Sequence, residues 1–173
     1  MGNEISRRSF FKSAGATALA CGALGASDLI VQFPNTASAA APEVKARAFK
    51  CGVLKTQTQY MLKDTRVGTP MDIPVTFFVI SHGKDWLAFD TGNNAMVAKD
   101  PVGYWSEAVT KAYYPVMKDF EEFKVQVQRV GLKPKDFKGV ILSHGHLDHA
   151  GAIDNFKDTG VPIYLQEKEL EIV

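Results

Sequence analysis

The stretch Gly139-Val140-Ile141-Leu142-Ser143-His144-Gly145-His146-Leu147-Asp148-His149 decides how the rest of the chain is read. Its first four residues are a short apolar run of the kind that makes a buried strand. After Ser143 comes an H-x-H-x-D-H pattern that packs three of the chain's four histidines into six positions. Such a cluster has little packing value. It also sits in the loop at a strand's carboxyl end, where α/β sheets place their sites. His144 and His146 are one residue apart, so in an extended or tightly turned loop both imidazoles can face one metal ion. Asp148 and His149 are adjacent, and a turn there can aim both at a second ion nearby, while Gly145 lets the backbone bend between ligands. Neutral imidazole and carboxylate suit zinc, with iron, manganese and cobalt as alternatives. Asp148 is the candidate catalytic residue as well as a candidate ligand. The competing readings are a polar loop that binds no metal and a single structural site.

Upstream, Val75-Thr76-Phe77-Phe78-Val79-Ile80 and Trp86-Leu87-Ala88-Phe89 form the clearest strand pair, joined through Ser81-His82-Gly83-Lys84-Asp85. Their density of apolar residues predicts a sheet covered on both faces. His82 falls in the turn, matches no ligand position and reads as a surface residue. Asp90-Thr91-Gly92-Asn93-Asn94 ends the second strand in loop chemistry, and Asp90 taken alone is a turn residue. Further strands are expected at Phe49–Leu54 and Tyr60–Lys63, with residues 40–48 an unstructured leader and residues 64–74 rich in turns. Residues 95–117, broken by Pro101, Gly103 and Pro115, read as loop with at most one short helix. Asp119 is expected to cap a helix with Phe120, Phe123, Val127 and Val130 on one face, Glu121 and Glu122 in its first turn, Arg129 in its last, and Gly131 as the stop. Beyond the motif, residues 153–157 read as helical, 161–165 as a strand and 167 onward as the start of a helix. This alternation implies an α/β layer architecture.

The chain opens on an export signature. Ser6-Arg7-Arg8-Ser9-Phe10-Phe11-Lys12 resembles the twin-arginine pattern, the small and apolar stretch Ala14–Leu24 follows, and Ala37-Ser38-Ala39 supplies a cleavage site. Residues 1–39 therefore read as a twin-arginine signal peptide and residues 40–173 as the domain, delivered to the periplasm or secreted. The apolar stretch is too short, and too soon interrupted by Asp28, for a retained membrane span. A lipid anchor at Cys21 fits Ala18-Leu19-Ala20 only loosely. The net charge of +1 over 173 residues, with 46% hydrophobic residues, excludes a disordered chain and an electrostatic nucleic-acid binder. Cutting after Ala39 removes Cys21 and leaves Cys51 without an intramolecular disulfide partner. Cys51 is expected to be a small buried hydrophobe, with intermolecular pairing as the alternative.

The H-x-H-x-D-H motif, with Phe89-Asp90-Thr91-Gly92 upstream and the strand pattern around it, resembles the N-terminal half of the metallo-β-lactamase superfamily. Four stretches are most similar to its N-acyl-homoserine lactonase group: Met71-Asp72-Ile73-Pro74-Val75, Leu87-Ala88-Phe89-Asp90-Thr91-Gly92, Arg129-Val130-Gly131-Leu132-Lys133-Pro134 and Ser143 through Gly151. The resemblance implies an α/β fold, the αββα sandwich, of which this chain holds the N-terminal half and is therefore incomplete. It implies that His144 and His146 ligate one zinc and Asp148 and His149 a second, with Asp90 supporting the loop from behind the ligands. It also implies hydrolysis, in which paired cations lower the pKa of a shared water and the resulting hydroxide opens a lactone or other ester.

The family draws its remaining ligands from a second half: one further histidine for each metal and an aspartate that bridges both, with a tyrosine near the leaving group. No histidine follows His149 here, so the chain is expected to be a truncated form. A small-molecule lactone or ester is the expected partner, with β-lactams, glyoxalase-type thioesters and phospho- or sulfo-esters as alternatives and no nucleic acid. The rival hypothesis is a non-catalytic fragment or half-domain that binds metal weakly and acts only with a complementing chain. Half a sandwich would leave one apolar sheet face uncovered, including part of Val75–Ile80, and self-association through that face is expected.

Overall fold

The computed structural model describes residues 29–32 and 43–171. The stretch read as an export signature (6–12) and the expected cleavage site at 37–39 lie outside the described residues. Seven strands make one sheet: β1 (Leu29–Gln32), β2 (Val44–Gln57), β3 (Pro70–His82), β4 (Asp85–Phe89), β5 (Tyr114–Val116), β6 (Gly139–Ile141) and β7 (Ile163–Tyr164). Their order is β1-β2-β3-β4-β6-β7, with β5 pairing β2 as well. β1 to β5 pair antiparallel, whereas β4–β6 and β6–β7 are parallel. Among the described residues five short helices accompany them: α1 (Thr58–Met61), α2 (Pro101–Trp105), α3 (Glu107–Ala112), α4 (Phe123–Arg129) and α5 (Glu167–Leu170).

The expected hairpin is present as β3–β4, in register from Phe78 opposite Phe89 to His82 opposite Asp85. Gly83 takes φ +62° at the first position of its two-residue turn, which favours glycine there. His82 is exposed at the hairpin end, the end of β4 remote from the motif loop.

Other elements differ from the sequence reading. The leader expected at 40–48 is strand from Val44 onward, and the strand expected at Tyr60–Lys63 is instead α1 followed by a turn. The turn-rich stretch becomes strand at Pro70, because β3 runs past the end of β4, which pairs only Phe78–His82. Prolines are tolerated in such an edge segment. Residues 95–117 hold two helices and β5 rather than one short helix. Asp119 starts a single 3-10 turn, and α4 begins later, capped by Glu122, whose Oε2 accepts from Val125 N at 3.1 Å. Phe120 is thereby left 47% exposed, while Phe123 and Val127 are fully buried. The helix stops as expected at Gly131, with φ +81°. β1 falls within the segment read as signal peptide and pairs with Lys45–Ala48 of β2.

A bulge in β2 sets up the site. Cys51 and Gly52 together face one position of β3, between the pairs Lys50–Thr76 and Val53–Pro74. Inserting one residue switches the buried side of the strand from odd to even positions: Phe49 and Cys51 are buried before it, Leu54 and Thr56 after it. Gly52 has φ +90°, and a Cβ there would come within 2.6 Å of Val116 O, so glycine is what lets β5 lie against the bulge. Cys51 is fully buried, as expected of a small hydrophobe, and burial pushes its thiol up to about 12.

The two faces of the sheet are unlike. Along β3, Val75, Phe77, Val79 and Ser81 are buried, whereas Thr76, Phe78 and Ile80 are only half-buried. The expectation of full cover on both faces is corrected accordingly. A run of apolar residues cannot distinguish two covered faces from one. The buried face carries an aromatic chain: Phe49 stacks on Phe77 at 5.0 Å, Phe77 meets Phe123 at 4.7 Å, and Phe123 meets Phe137 and Phe156 at 5.9 and 5.3 Å. α4 is thereby fixed against the sheet, and Gln126 adds a hydrogen bond from Nε2 to Lys50 O at 2.9 Å.

Candidate metal centre

Parallel pairing of β4 with β6 puts Phe89 opposite Ile141, so the two chains leave the sheet side by side. One continues as Asp90-Thr91-Gly92-Asn93-Asn94 and the other as Ser143 and the histidine motif. Asp90 N donates to Ile141 O at 2.8 Å, and the Asp90 backbone then turns at φ +59°. Its buried carboxylate accepts from Ser143 N at 2.7 Å, from Ser143 Oγ at 2.8 Å and from His149 Nδ1 at 2.8 Å. Both ends of the motif are therefore tied to one side chain that lies more than fifty residues upstream.

The residues after Asp90 hold the rest of the loop. Thr91 donates from N and from Oγ1 to His149 O at 2.7 and 3.1 Å, and its Oγ1 accepts from Ala152 N at 3.1 Å. Asn94 Nδ2 donates to Gly151 O at 2.9 Å and to Asp154 Oδ2 at 3.1 Å. Thr91 and Asn94 are buried, so these are polar groups whose hydrogen bonding is spent inside the protein. Within the motif, His149 N and Ala150 N both donate to His146 O, at 3.0 and 2.8 Å, making the turn that the Asp148-His149 pair requires.

All four motif side chains come together. The His144 ring lies 4.5 Å from the His146 ring and 4.1 Å from the His149 ring, centre to centre. Asp148 Oδ2 lies 3.4 Å from His149 Nε2. Hydrogen bonds to Asp148 and Asp90 push His149 up to about 9, against the opposing effect of burial. Burial pushes the Asp148 carboxyl up, but its hydrogen bond and charge interaction with His149 outweigh that and hold it below its ordinary value. Asp90 behaves likewise, with burial overcome by the hydrogen bonds from His149 and Ser143. His144 is lowered, first by burial and then by the neighbouring His149 and His146. His149 is thus held between two carboxylates, both of which favour a positive charge at its ring.

The donor chemistry fits a cation. Two donors on one tetrahedral zinc, each at about 2.0–2.1 Å, are about 3.3–3.4 Å apart, close to the spacing of Asp148 Oδ2 and His149 Nε2. A metal ligand histidine commonly gives its second ring N–H to a carboxylate, which fixes its tautomer, and Asp90 receives His149 in that way. A cation between Asp148 and His149 would take the place of a proton. Among the described residues, however, no group of three His, Cys, Asp or Glu is arranged to hold one ion. The fourth histidine, His82, stands at the other end of β4. Sequence reading gave no role to Ser143, Thr91, Asn94, Gly151 or Glu169. The only signal for the first three is that small polar residues flank the motif and the strand end.

Residues 71–171 match the family model described as the metallo-beta-lactamase superfamily. The chain belongs to the metallo-β-lactamase superfamily. Within the superfamily it is 36% identical over 127 residues to the N-acyl homoserine lactonase AttM of Azorhizobium caulinodans, covering 73% of this chain and 48% of AttM. A solved N-acyl homoserine lactone hydrolase, with the product N-hexanoyl-L-homoserine at its catalytic metal centre, matches the fold with a TM-score of 0.66 at 23% identity, over 73% of this chain and 50% of that one. AidC, described as a dizinc quorum-quenching lactonase, matches with a TM-score of 0.51 at 14% identity, over 84% and 47%. The chain spans about half the length of the relatives it matches, and its fold is the corresponding part of the metallo-β-lactamase fold.

Proposed function

We propose that these residues supply the metal-binding loop of a metal-dependent hydrolase that opens N-acyl homoserine lactones or closely similar cyclic esters. The observation that carries the reading is the Asp90–His149–Asp148 arrangement. A buried carboxylate holds one ring nitrogen of His149 at 2.8 Å, while the other ring nitrogen faces Asp148 at 3.4 Å. The 36% identity to a lactonase over most of the chain supports the substrate class. His144 and His146 would hold one cation, and Asp148 and His149 a second. Zinc is the proposed metal, on the donor set and on the dizinc description of AidC.

A cation pair, when bound, supplies Lewis acidity toward an ester carbonyl and a water acidic enough to ionise near neutral pH. The chain's own residues prepare the place for it. Asp90 keeps a proton at His149 Nδ1, so that Nε2 is the free donor. Asp148 contributes the negative charge that partly offsets a cation. Thr91 and Asn94 hold the loop backbone so that neither side chain swings away. With residues 1–39 acting as a twin-arginine signal, the reaction would take place in the periplasm or outside the cell.

A second reading has its own support. Two donors per cation fall short of the three protein ligands usual in catalytic zinc sites, in keeping with the absence of any three-donor group among the described residues. On that reading the chain alone is a half-site that binds metal weakly and turns over only when complemented. The test incubates the whole chain with zinc and N-hexanoyl homoserine lactone, follows acid release, and runs a β-lactam and a thioester alongside. Lactone opening that is lost in His146→Ala supports the hydrolase reading. Metal uptake without turnover supports the half-site. Turnover of the β-lactam or the thioester alone overturns the substrate assignment.

A further inference from the structure

One contact reaches the motif from far along the chain. Gly145, between His144 and His146, donates its backbone N–H to Glu169 Oε2 at 3.2 Å. Glu169 is half-buried in α5, while its neighbours Glu167, Lys168 and Leu170 are exposed. The three carboxylates near the motif hold different parts of it. Asp90 grips Ser143 and His149, Asp148 faces His149, and the amide between the first two histidines is met by Glu169.

A hydrogen bond to an ionised acceptor is roughly twice as strong as a neutral one. Because the peptide unit is planar, orienting the Gly145 N–H fixes the plane that joins the His144 and Gly145 Cα atoms, the entry to the turn from which His144 and His146 project. Among the described residues, no other hydrogen bond uses the Gly145 N–H. We propose that Glu169 is a positioning residue that fixes the His144-Gly145-His146 turn for a cation, as Asp90 does on the His149 side. The proposal rests on the metal-site reading above and deepens it. It also makes α5, which carries no ligand, part of the support of the centre.

Two measurements on the whole chain separate the contact from its consequence. Amide exchange at Gly145, followed by NMR without added metal, should quicken about tenfold or more in Glu169→Ala, in line with a hydrogen bond to a charged group. It should quicken distinctly less in Glu169→Gln, which keeps an acceptor oxygen without the charge, and stay near wild type in Glu167→Ala. Cobalt(II) titration followed by visible absorption should then show binding weakened about 10–100-fold in Glu169→Ala, with shifted bands, and largely restored in Glu169→Gln. Unchanged Gly145 exchange in Glu169→Ala, or an equal effect of Glu167→Ala, overturns the proposal. Cobalt affinity and bands left unchanged in Glu169→Ala overturn it as well. If the wild-type chain takes up no cobalt, the metal reading fails, and Gly145 exchange still decides whether Glu169 holds the turn.

Discussion

Gly151 shows how little room the motif loop has. A Cβ at that position would come within 2.2 Å of Leu147 O and 2.8 Å of both Asn94 N and Gly92 O. These are backbone atoms that cannot step aside without moving the loop. Gly151→Ala is therefore expected to cost about 1–3 kcal/mol, as forced overpacking does, read as a lower urea midpoint. A variant as stable as wild type would mean the loop has slack that its hydrogen bonds do not suggest. Asp90→Asn tests the other constraint, because it keeps the shape and removes the charge that receives His149 Nδ1. Zinc affinity, measured by competition with a chromophoric chelator, should fall about 10–100-fold with little change in the far-ultraviolet circular dichroism. At this scale the cluster of candidate ligands was legible because its members are neighbours in sequence. Asn94, Gly151 and Glu169 were not, because each acts through a partner 24 to 59 positions away.

At the scale of elements, α4 separates pattern from packing. Phe120 and Phe123 fall on one face if the helix starts at 120. It starts at 123 because Glu122 caps it, and the preceding 3-10 turn carries Phe120 out to solvent between Lys118 and Arg129. Phe123→Ala should cost about 3–5 kcal/mol, the usual range for emptying a buried aromatic site. Phe120→Ala should cost less than about 1 kcal/mol, as surface positions do. Denaturant unfolding of the two variants decides the matter, and equal costs would contradict the assignment of α4. The β3–β4 hairpin could be read directly, since β-branched and aromatic runs flank a short glycine turn. The middle of β2 could be read as the strand Phe49–Leu54, but its first residues could not, because they alternate lysine, alanine and arginine in place of an apolar run. The helices of 95–117 are five and six residues long, too short to show a period.

Across the whole molecule, the sheet buries one face under α4 and its aromatic chain, and the parallel pair β4 and β6 delivers Asp90 and the histidine motif to one edge. The superfamily was legible from the motif and its placement on a strand's carboxyl end. The activity was not, because among the described residues no group of three donors is arranged to hold one ion. Every role proposed for these residues depends on metal binding by the His144–His149 loop. Equilibrium dialysis of the whole chain against zinc, with His146→Ala and Asp148→Ala alongside, tests it most directly. Zinc should be retained by the wild-type chain and reduced by each substitution, whereas equal background uptake by all three chains would mean that the loop holds no metal.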